Sequence, residues 1–187
     1  MIKDINNKEI LNNLNLNNLF LSASLKDVKQ DCKILRSNFY IDSFNYFPIT
    51  TNYQTFYDLF KIQNNNSIEH FYTHSFLKNF QNNEKDFKNF EDCFILGSSP
   101  ADNYFSNLIY FLPRLFFNKE NKINIVIHRN LSNKFRNLIK NLCKIREIEF
   151  KFIYMDDEFY RFNNSDIPQF FNIEQSLLIL QYFFKKI

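Results

Sequence analysis

Apolar residues follow a regular pattern from residue 91 onward. Two short apolar runs predict buried strands, at 93–96 and 123–127, and apolar residues that alternate with Glu149 and Lys151 predict a third strand at 148–154. Helical spacing of apolar residues predicts helices at 103–117, 135–142 and 173–184. Strands that alternate with helices in this way are typical of a parallel sheet with right-handed crossovers. We therefore predict an α/β fold in which residues 91–187 form a Rossmann-like parallel sheet with flanking helices, and in which a loop surrounds Pro168.

The first ninety residues are rich in Asn and are less regularly patterned. Helical spacing favours several short helices before residue 81, one of them at 25–35, whereas residues 39–41 look like a short strand. We therefore predict two parts: an α-rich N-terminal extension, residues 1–90, packed on the domain formed by residues 91–187.

The composition departs from that of an average protein in its glycine and aromatic content. The chain has one glycine, 25 Phe and 10 Tyr in 187 residues, whereas glycine usually makes up about 7%. Frequent Asn, Ile, Lys and Phe indicate AT-rich codons and a low-GC prokaryotic source. Turns that need a positive φ must then use Asn, as at 163–164. A single glycine also excludes glycine-rich phosphate loops, both G-x-G-x-x-G and the P-loop.

Charge and cysteine usage narrow the class of protein further. The net charge is +3 and the basic residues are scattered, so we expect no nucleic-acid partner. Cys32, Cys93 and Cys143 are far apart, which favours reduced core thiols over a disulfide framework or a zinc site. No signal-peptide pattern and no run of about 20 apolar residues is present, so we predict a cytoplasmic protein without a membrane span.

Residues 102–115 read DNYFSNLIYFLPRL. This segment resembles the N-Y-[YF]-H-W-L-x-[DE]-x-L-P-R-L segment of the family 61 glycosyltransferases, the capsular-polysaccharide type. The strand and small-residue loop before it, and the strand, helix and strand after it, are similar in order and spacing to the front domain of that family. The resemblance covers about the last half of the chain and does not reach the half that binds the nucleotide sugar.

The resemblance implies the N-terminal, acceptor-side half of a two-domain GT-B glycosyltransferase. The reaction would be inverting transfer of a sugar to a glycan acceptor in surface polysaccharide synthesis, with no metal or cofactor required. The implied partners are the glycan acceptor and a separate donor-side half, or a second copy of this chain. Since the I-S-R strand and H-G-A-G-L loop of the family are absent, we expect no transferase activity from this chain alone.

The chain departs from the family segment at positions that matter for catalysis. Ser106 stands where the family has His, Asn107 where it has Trp, and Tyr110 where it has an acid. An inverting transferase needs a base for the acceptor hydroxyl, and neither Ser nor Tyr serves well unassisted near neutral pH. Asp102 and His128 are the remaining candidates for the base. Their structural alternatives are a helix N-cap for Asp102 and a hydrogen-bonded histidine at a strand end for His128.

The candidate substrate-binding residues are Ser98, Ser99, Asn103, Tyr104 and Arg114. The small-residue loop before the first helix presents backbone N–H groups to an anion, or is an ordinary strand-to-helix turn. The arginine binds an acceptor or phosphate oxygen, or it is structural and binds helix-end carbonyls or a buried acid.

Two histidines, His70 and His74, have the spacing of metal ligands on one helix face, but no third ligand is identifiable. We therefore predict no metal site and favour partly exposed structural histidines.

Three functions remain open after this comparison: the acceptor-side half of a glycosyltransferase, a non-catalytic interaction subunit of a polysaccharide assembly complex, and an unrelated small α/β binding protein. In the first case, the edge formed by residues 97–102, 128–131 and 154–158 should bring Asp102, Arg114 or His128 together. That edge should also expose aromatic surface and mediate binding to a donor-side protein or self-association.

Overall fold

The structure, a computed structural model, describes residues 34–42, 47–50, 87–98, 102–156, 158–170 and 173–185. The strands are β1 (Ile34–Asp42), β2 (Phe47–Thr50), β3 (Lys88–Glu91), β4 (Cys93–Ile95), β5 (Lys122–His128), β6 (Glu149–Met155) and β7 (Phe159–Pro168). The helical segment α1 joins an α-helical turn, a π-helical turn and a 3₁₀ helix, at Tyr104–Ser106, Asn107–Phe111 and Leu112–Phe117. The two α-helices are α2 (Asn133–Ile145) and α3 (Ile173–Phe184).

The strands form one seven-stranded mixed sheet in the order β2-β1-β7-β4-β5-β6, with β3 also paired to β7. β4, β5 and β6 are adjacent and parallel, which confirms the three strands predicted from the hydrophobic pattern. The sheet as a whole is mixed and not parallel throughout, because β1 pairs antiparallel with β7, and β2 pairs antiparallel with β1. The added strands cover an edge of β7 that the parallel strands alone would leave unpaired.

The segment before the third helix also differs from the prediction. The loop expected around Pro168 is the end of β7, a ten-residue strand at the centre of the sheet. Along most of this strand, buried residues alternate with half-buried ones, and the half-buried residues include the polar Arg161, Asn163 and Asp166. The sequence therefore lacks the continuous apolar run that is typical of a buried strand. Pairing with neighbours on both sides determines this strand.

The described part of residues 1–90 consists of strands. β1 confirms the short strand predicted at 39–41, and it includes Leu35, which helical spacing had assigned to a helix. Long-range pairing with β7 prevails there over the local pattern. β1, β2 and β3 share the sheet of the later residues, so the boundary predicted at residue 91 falls within a single sheet. The other predicted helices of this part lie outside the described residues.

Three neighbouring strands are interrupted at the same level of the sheet. Asp92, with φ 48°, separates β3 from β4, and Asn164, with φ 45°, lies within β7. The register of β1 shifts between residues 37 and 39. The Arg36 guanidinium links these positions: it donates to Asn164 Oδ1 at 3.1 Å, to Asp92 at 3.1 Å and to Asp166 at 3.2 Å. One polar cluster therefore holds all three irregularities.

The strands bend at this level. Met155, at the end of β6, pairs with His128, and the register between β4 and β5 places His128 level with residue 97. Tyr160, at the start of β7, pairs with Lys88, which lies nine positions before residue 97 (97 minus 88). In a flat sheet this difference would separate the end of β6 from the start of β7 by roughly 30 Å. Yet the Tyr160 hydroxyl accepts a hydrogen bond from the N–H of Asp156 at 2.8 Å. The first half of β7, with β3, must therefore fold back over the sheet.

The two faces of the sheet are covered by different elements. On one face, α1, α2 and α3 pack against apolar residues of β4 and β5, with a core that includes Phe94, Leu96, Ile109, Leu112, Leu115, Ile125, Phe135, Ile139, Leu142, Leu180 and Phe183. On the other face, the bent halves of β1 and β7 supply the cover, with a core of Phe39, Ile41, Cys93, Ile95, Phe111, Val126, Met155, Tyr160, Phe162 and Ile167. A folded-over sheet thus takes the place of a second helix layer.

Two of the three cysteines lie in these cores. Cys93 and Cys143 are buried and unpaired, as predicted, and Cys32 lies outside the described residues. Burial raises the pKa of each thiol to about 12, so neither is a thiolate near neutral pH. None of the helices in the described residues is long and apolar enough to cross a membrane.

We predict that Asn164→Ala lowers the free energy of unfolding by about 1–3 kcal/mol, because alanine is strained at positive φ and cannot replace the amide contacts with Arg36 and Asp92. Asn164→Gly relieves the backbone strain and should cost less. Urea denaturation measures both, with the exposed strand residue Asn89→Ala as the control. Equal stability of the alanine and glycine variants would contradict a requirement for positive φ at this position.

Candidate functional site

The carboxyl ends of β4, β5 and β6 meet at one edge of the sheet. In open α/β sheets, ligands bind outside these strand ends. The residues described at this edge are Ser98, Asp102, Asn103, His128, Arg129, Asn130 and Asp156. Four predicted site residues therefore lie together here. Ser99 lies outside the described residues, as do His70 and His74.

Asp102 connects the start of α1 to the start of α2. Its Oδ1 accepts hydrogen bonds from the Ser132 N–H at 3.0 Å and from Asn107 Nδ2 at 3.3 Å. Asp102 does not cap α1, because Asn103 does so by accepting the Ser106 N–H at 2.9 Å. The residue has φ 49°, a conformation that costs energy and is often found at functional sites. Its Oδ2 makes no hydrogen bond within the described part of the chain, so this oxygen can accept from a ligand.

His128 ends β5 and is 1% exposed. Its backbone N–H donates to Ser98 Oγ at 2.8 Å, and its Nδ1 accepts the Asn130 N–H at 3.1 Å. The Nδ1 atom is therefore engaged in holding the turn after the strand. This arrangement matches the hydrogen-bonded histidine that we gave as its structural alternative.

The start of α1 combines a buried serine with exposed aromatic rings. Ser106, the residue at the histidine position of the family segment, is 6% exposed. In contrast, Tyr104 is 51% exposed; its ring packs edge-to-face on Phe135, and Lys134 Nζ lies 5.2 Å from the ring centre. Phe105 is also exposed. Two exposed aromatic rings therefore follow Asp102 directly along the chain, at the same helix start.

Arg114 is fully buried between the ends of β4 and β7. Its Nε and Nη2 donate to the Pro168 carbonyl at 3.0 and 2.6 Å, and its Nη1 donates to the Leu96 carbonyl at 2.9 Å. The guanidinium also lies 4.2 Å from the centre of the Phe170 ring. These contacts match the structural alternative, except that the carbonyls belong to strand ends and not to a helix end.

The charged residues of the edge were not identified from the sequence. Arg129 forms a two-pronged ion pair with Asp156, with Nη2 at 3.2 Å from Oδ2. The Arg129 hydrogen bond lowers the pKa of the Asp156 carboxyl, and Asp156 in turn raises the pKa of Arg129. Arg136 Nη2 donates to the Arg129 carbonyl, and both guanidinium groups lie near the Tyr154 ring, at 5.8 and 5.0 Å from its centre.

A signal for these residues exists in the sequence. Arg129 and Asp156 each follow a predicted strand by one or two positions, as His128 does, and Arg136 lies in the first turn of the following helix. The rule that selected His128 would have selected them too. Within the described ranges, no group of three His, Cys, Asp or Glu residues could hold a metal ion.

No protein-family model matches the chain, and neither a curated protein nor a solved structure matches it. The structure defines an α/β protein with a mixed, bent sheet and a polar edge at the parallel strand ends. The functional argument therefore rests on the residues of that edge.

We predict that Arg114→Met lowers the free energy of unfolding by about 3 kcal/mol or more, because the buried Leu96 and Pro168 carbonyls lose their donors. Arg114→Lys cannot satisfy both carbonyls with one ammonium group and should be intermediate. The control is Arg161→Met, the same substitution at an arginine of β7 that is only half-buried. Thermal and urea unfolding measure the change in the free energy of unfolding. An Arg114→Met variant as stable as the control would show that the hydrogen bonds from Arg114 to the strand-end carbonyls do not stabilise the fold.

Proposed function

We propose that the chain is the acceptor-side half of a family 61-like glycosyltransferase, which binds a glycan acceptor in the bacterial cytoplasm and is inactive alone. The observation that carries the proposal is the exposed Tyr104 ring two residues along the chain from Asp102, whose Oδ2 makes no hydrogen bond to a described residue. Sugar rings present C–H faces that pack on aromatic rings, while their hydroxyls hydrogen-bond to carboxylates and arginines. The family-like segment 102–115 supplies both residues.

Within this proposal, Asp102 is the best placed general base. Sugar transfer requires removal of the acceptor hydroxyl proton. Ser106 is buried, and the Nδ1 of His128 already accepts a backbone N–H. Asp102 is half-buried, and Ser132 and Asn107 hold its Oδ1, whereas its Oδ2 has no hydrogen-bond partner among the described residues and can accept a proton. A separate donor-side protein would supply the nucleotide sugar, because the chain has no glycine-rich phosphate loop.

We predict that a panel of oligosaccharides contains ligands for the purified chain in saturation-transfer NMR. Tyr104→Ala should weaken binding about tenfold, the value of one lost aromatic contact of about 1.4 kcal/mol. Tyr182→Ala is the control, because Tyr182 on α3 is similarly exposed, at 50%. UDP- and GDP-sugars should show no binding in calorimetric titrations. Micromolar affinity for a nucleotide sugar, or a glycan affinity that Tyr104→Ala leaves unchanged, would refute the proposal.

A second candidate, a non-catalytic interaction subunit, is favoured by the outer face of α3. This face and the end of α1 expose Phe116, Ile173, Leu177, Leu178, Tyr182 and Phe184. Beside them is an apolar groove of about 420 Å³, lined by Leu108, Ile109, Leu177, Leu180, Gln181, Phe184 and Lys185. Large exposed apolar surfaces are unusual on soluble monomers. This surface lies on the helical layer, in addition to the exposed Tyr104 and Phe105 rings at the strand-end edge, where we had expected the binding surface.

For this candidate we predict self-association, or binding to a donor-side protein, through α3. Leu178→Glu should make the chain monomeric in sedimentation experiments, since Leu178 is 66% exposed and its charge would be buried in the contact. Lys140→Glu, at an exposed position of α2, is the control. Phe116→Glu should act like Leu178→Glu, whereas Phe111, only 3% exposed, is a core residue and unsuitable for the test. A wild-type chain that stays monomeric at every concentration would exclude self-association.

A further inference from the structure

β6 is the last strand on one side of the sheet. It pairs with β5, and no other strand of the described residues pairs with it. An edge strand presents unpaired N–H and C=O groups to other chains, and native proteins block such edges with short strands, lysine, proline or bulges. The opposite edge strand, β2, has four residues and contains Pro48. β6 has seven residues and a regular register, and Lys151 is its one residue of the blocking kind.

The hydrogen bonds to the neighbouring strand show which groups of β6 face outward. The Glu149 N–H donates to the Asn121 carbonyl at 2.7 Å, and the Met155 carbonyl accepts the Arg129 N–H at 2.8 Å. Because the hydrogen-bonding groups of successive residues in a strand point to opposite sides, the odd-numbered residues face β5. The N–H and C=O groups of the even-numbered residues therefore point away from the sheet and have no partner among the described residues. These outward residues are Phe150, Phe152 and Tyr154.

The side chains of β6 are poorly covered for their chemistry. β5 buries five of its seven residues, whereas β6 buries only Met155. Phe150, Phe152 and Tyr154 form an aromatic row on the helical face, with successive ring centres 5.1 and 6.0 Å apart, and all three are half-buried. A further strand beside β6 would cover this row, because cross-strand neighbours on one face of a sheet are in contact.

We propose that the occupant of this edge is β6 of a second copy of the chain, paired antiparallel about a two-fold axis at Phe152. Directly opposite residues in an antiparallel pair face either both toward or both away from each other, so each symmetric register centres on one residue. A centre at Lys151 places two ammonium groups opposite each other, which is unfavourable. Centres at Phe150 or Ile153 pair fewer residues of the strand, whereas a centre at Phe152 pairs all seven.

This register is complementary on both faces of the sheet. On the helical face, Phe152 lies opposite its own symmetry mate and Phe150 lies opposite Tyr154 of the second copy, so that every cross-strand pair is aromatic. On the other face, Lys151 lies opposite Ile153 of the second copy, where its aliphatic stem packs and its ammonium group reaches solvent. Each pair of outward residues exchanges two backbone hydrogen bonds.

The dimer leaves the candidate site of each copy open. Because the two β6 strands run in opposite directions, the strand-end edges that carry Asp102 and His128 lie at opposite ends of one continuous sheet. The two helical layers lie on the same side of that sheet. The inference does not depend on the proposed glycan-binding function, and its interface is separate from the outer face of α3.

Amide hydrogen exchange of the full chain, followed by NMR at increasing protein concentration, tests the pairing residue by residue. We expect the amides of Phe150, Phe152 and Tyr154 to exchange at least about tenfold more slowly in the dimer, because each gains a hydrogen bond. The amides of Lys151 and Ile153 bond to β5 and should be protected at every concentration. Unprotected outward amides in a chain that sediments as a dimer would overturn the proposal. Protected outward amides in a chain that sediments as a monomer assign the edge to another segment of the same chain and also overturn it.

Phe152→Pro and Phe152→Ala form a matched pair of variants. Both remove the ring, but only proline removes the outward N–H, and an edge strand tolerates proline where its N–H side faces outward. We expect the proline variant to dimerise at least about tenfold more weakly than the alanine variant in sedimentation equilibrium, because the central pair loses both hydrogen bonds. Equal, measurable dimerisation of the two variants would contradict the pairing.

Charge substitutions at the same half-buried position test the register. Phe152→Lys and Phe152→Glu should each be monomeric, because like charges then face each other at the two-fold axis, and a mixture of the two variants should form a heterodimer. The control Leu178→Glu, on the exposed face of α3, should leave the dimer intact. A dimer lost in Leu178→Glu and kept in Phe152→Lys assigns self-association to α3 and overturns the β6 interface, as does a wild-type chain that is monomeric at every concentration. If the Phe152 variants do not fold, hydrogen exchange of the wild-type chain decides.

Discussion

The short connection between β6 and β7 is the constraint on which the architecture depends. Parallel strands normally need a crossover of a dozen or more residues, and here only residues 156–158 separate two strands that run in the same direction. The bend at Asp92 and Asn164 makes so short a link compatible with the sheet, because it brings the start of β7 over the end of β6. The same bend covers the second face of the sheet, so no helix is needed there.

The bend shows how a chain with one glycine meets the need for positive φ. Aspartate and asparagine tolerate this conformation better than other residues because their short side chains hydrogen-bond locally. At the bend, Asp92 Oδ1 accepts from both Arg36 and Asn164, so the strained backbone is held by its own side chains. Gly97 itself has φ 77° and lies at the exit from β4, where its N–H pairs with the Val126 carbonyl. The prediction that Asn would replace glycine at 163–164 is confirmed at Asn164, although the residue lies within a strand.

The strands that could be predicted from the sequence are those whose pattern of burial stays the same along their whole length. β4, β5 and β6 carry uninterrupted or alternating apolar residues, and their bounds were predicted to within one or two residues. β7 was missed because its bend places polar residues in the middle of a central strand. The internal changes of α1 were also not predictable in detail: Pro113 has no N–H to donate, and the helix changes from π-helical to 3₁₀ at Leu112. In the site, Asp102 and His128 were identified, whereas Arg129 and Asp156 resembled ordinary surface charges.

The position of Arg114 explains why the candidate site lies at β5 and β6. In an open α/β sheet, the expected crevice opens where strand order reverses, which here is between β4 and β7. Arg114 fills that position with its guanidinium and binds the carbonyls that end both strands. Ligand contacts are then left to the neighbouring turns. Asp102 joins these turns by binding the Ser132 N–H, and Tyr104 packs on Phe135. The exposed aromatic rings of α1 and the turn before α2 therefore form one unit, positioned by two helix starts and not by the strand ends alone.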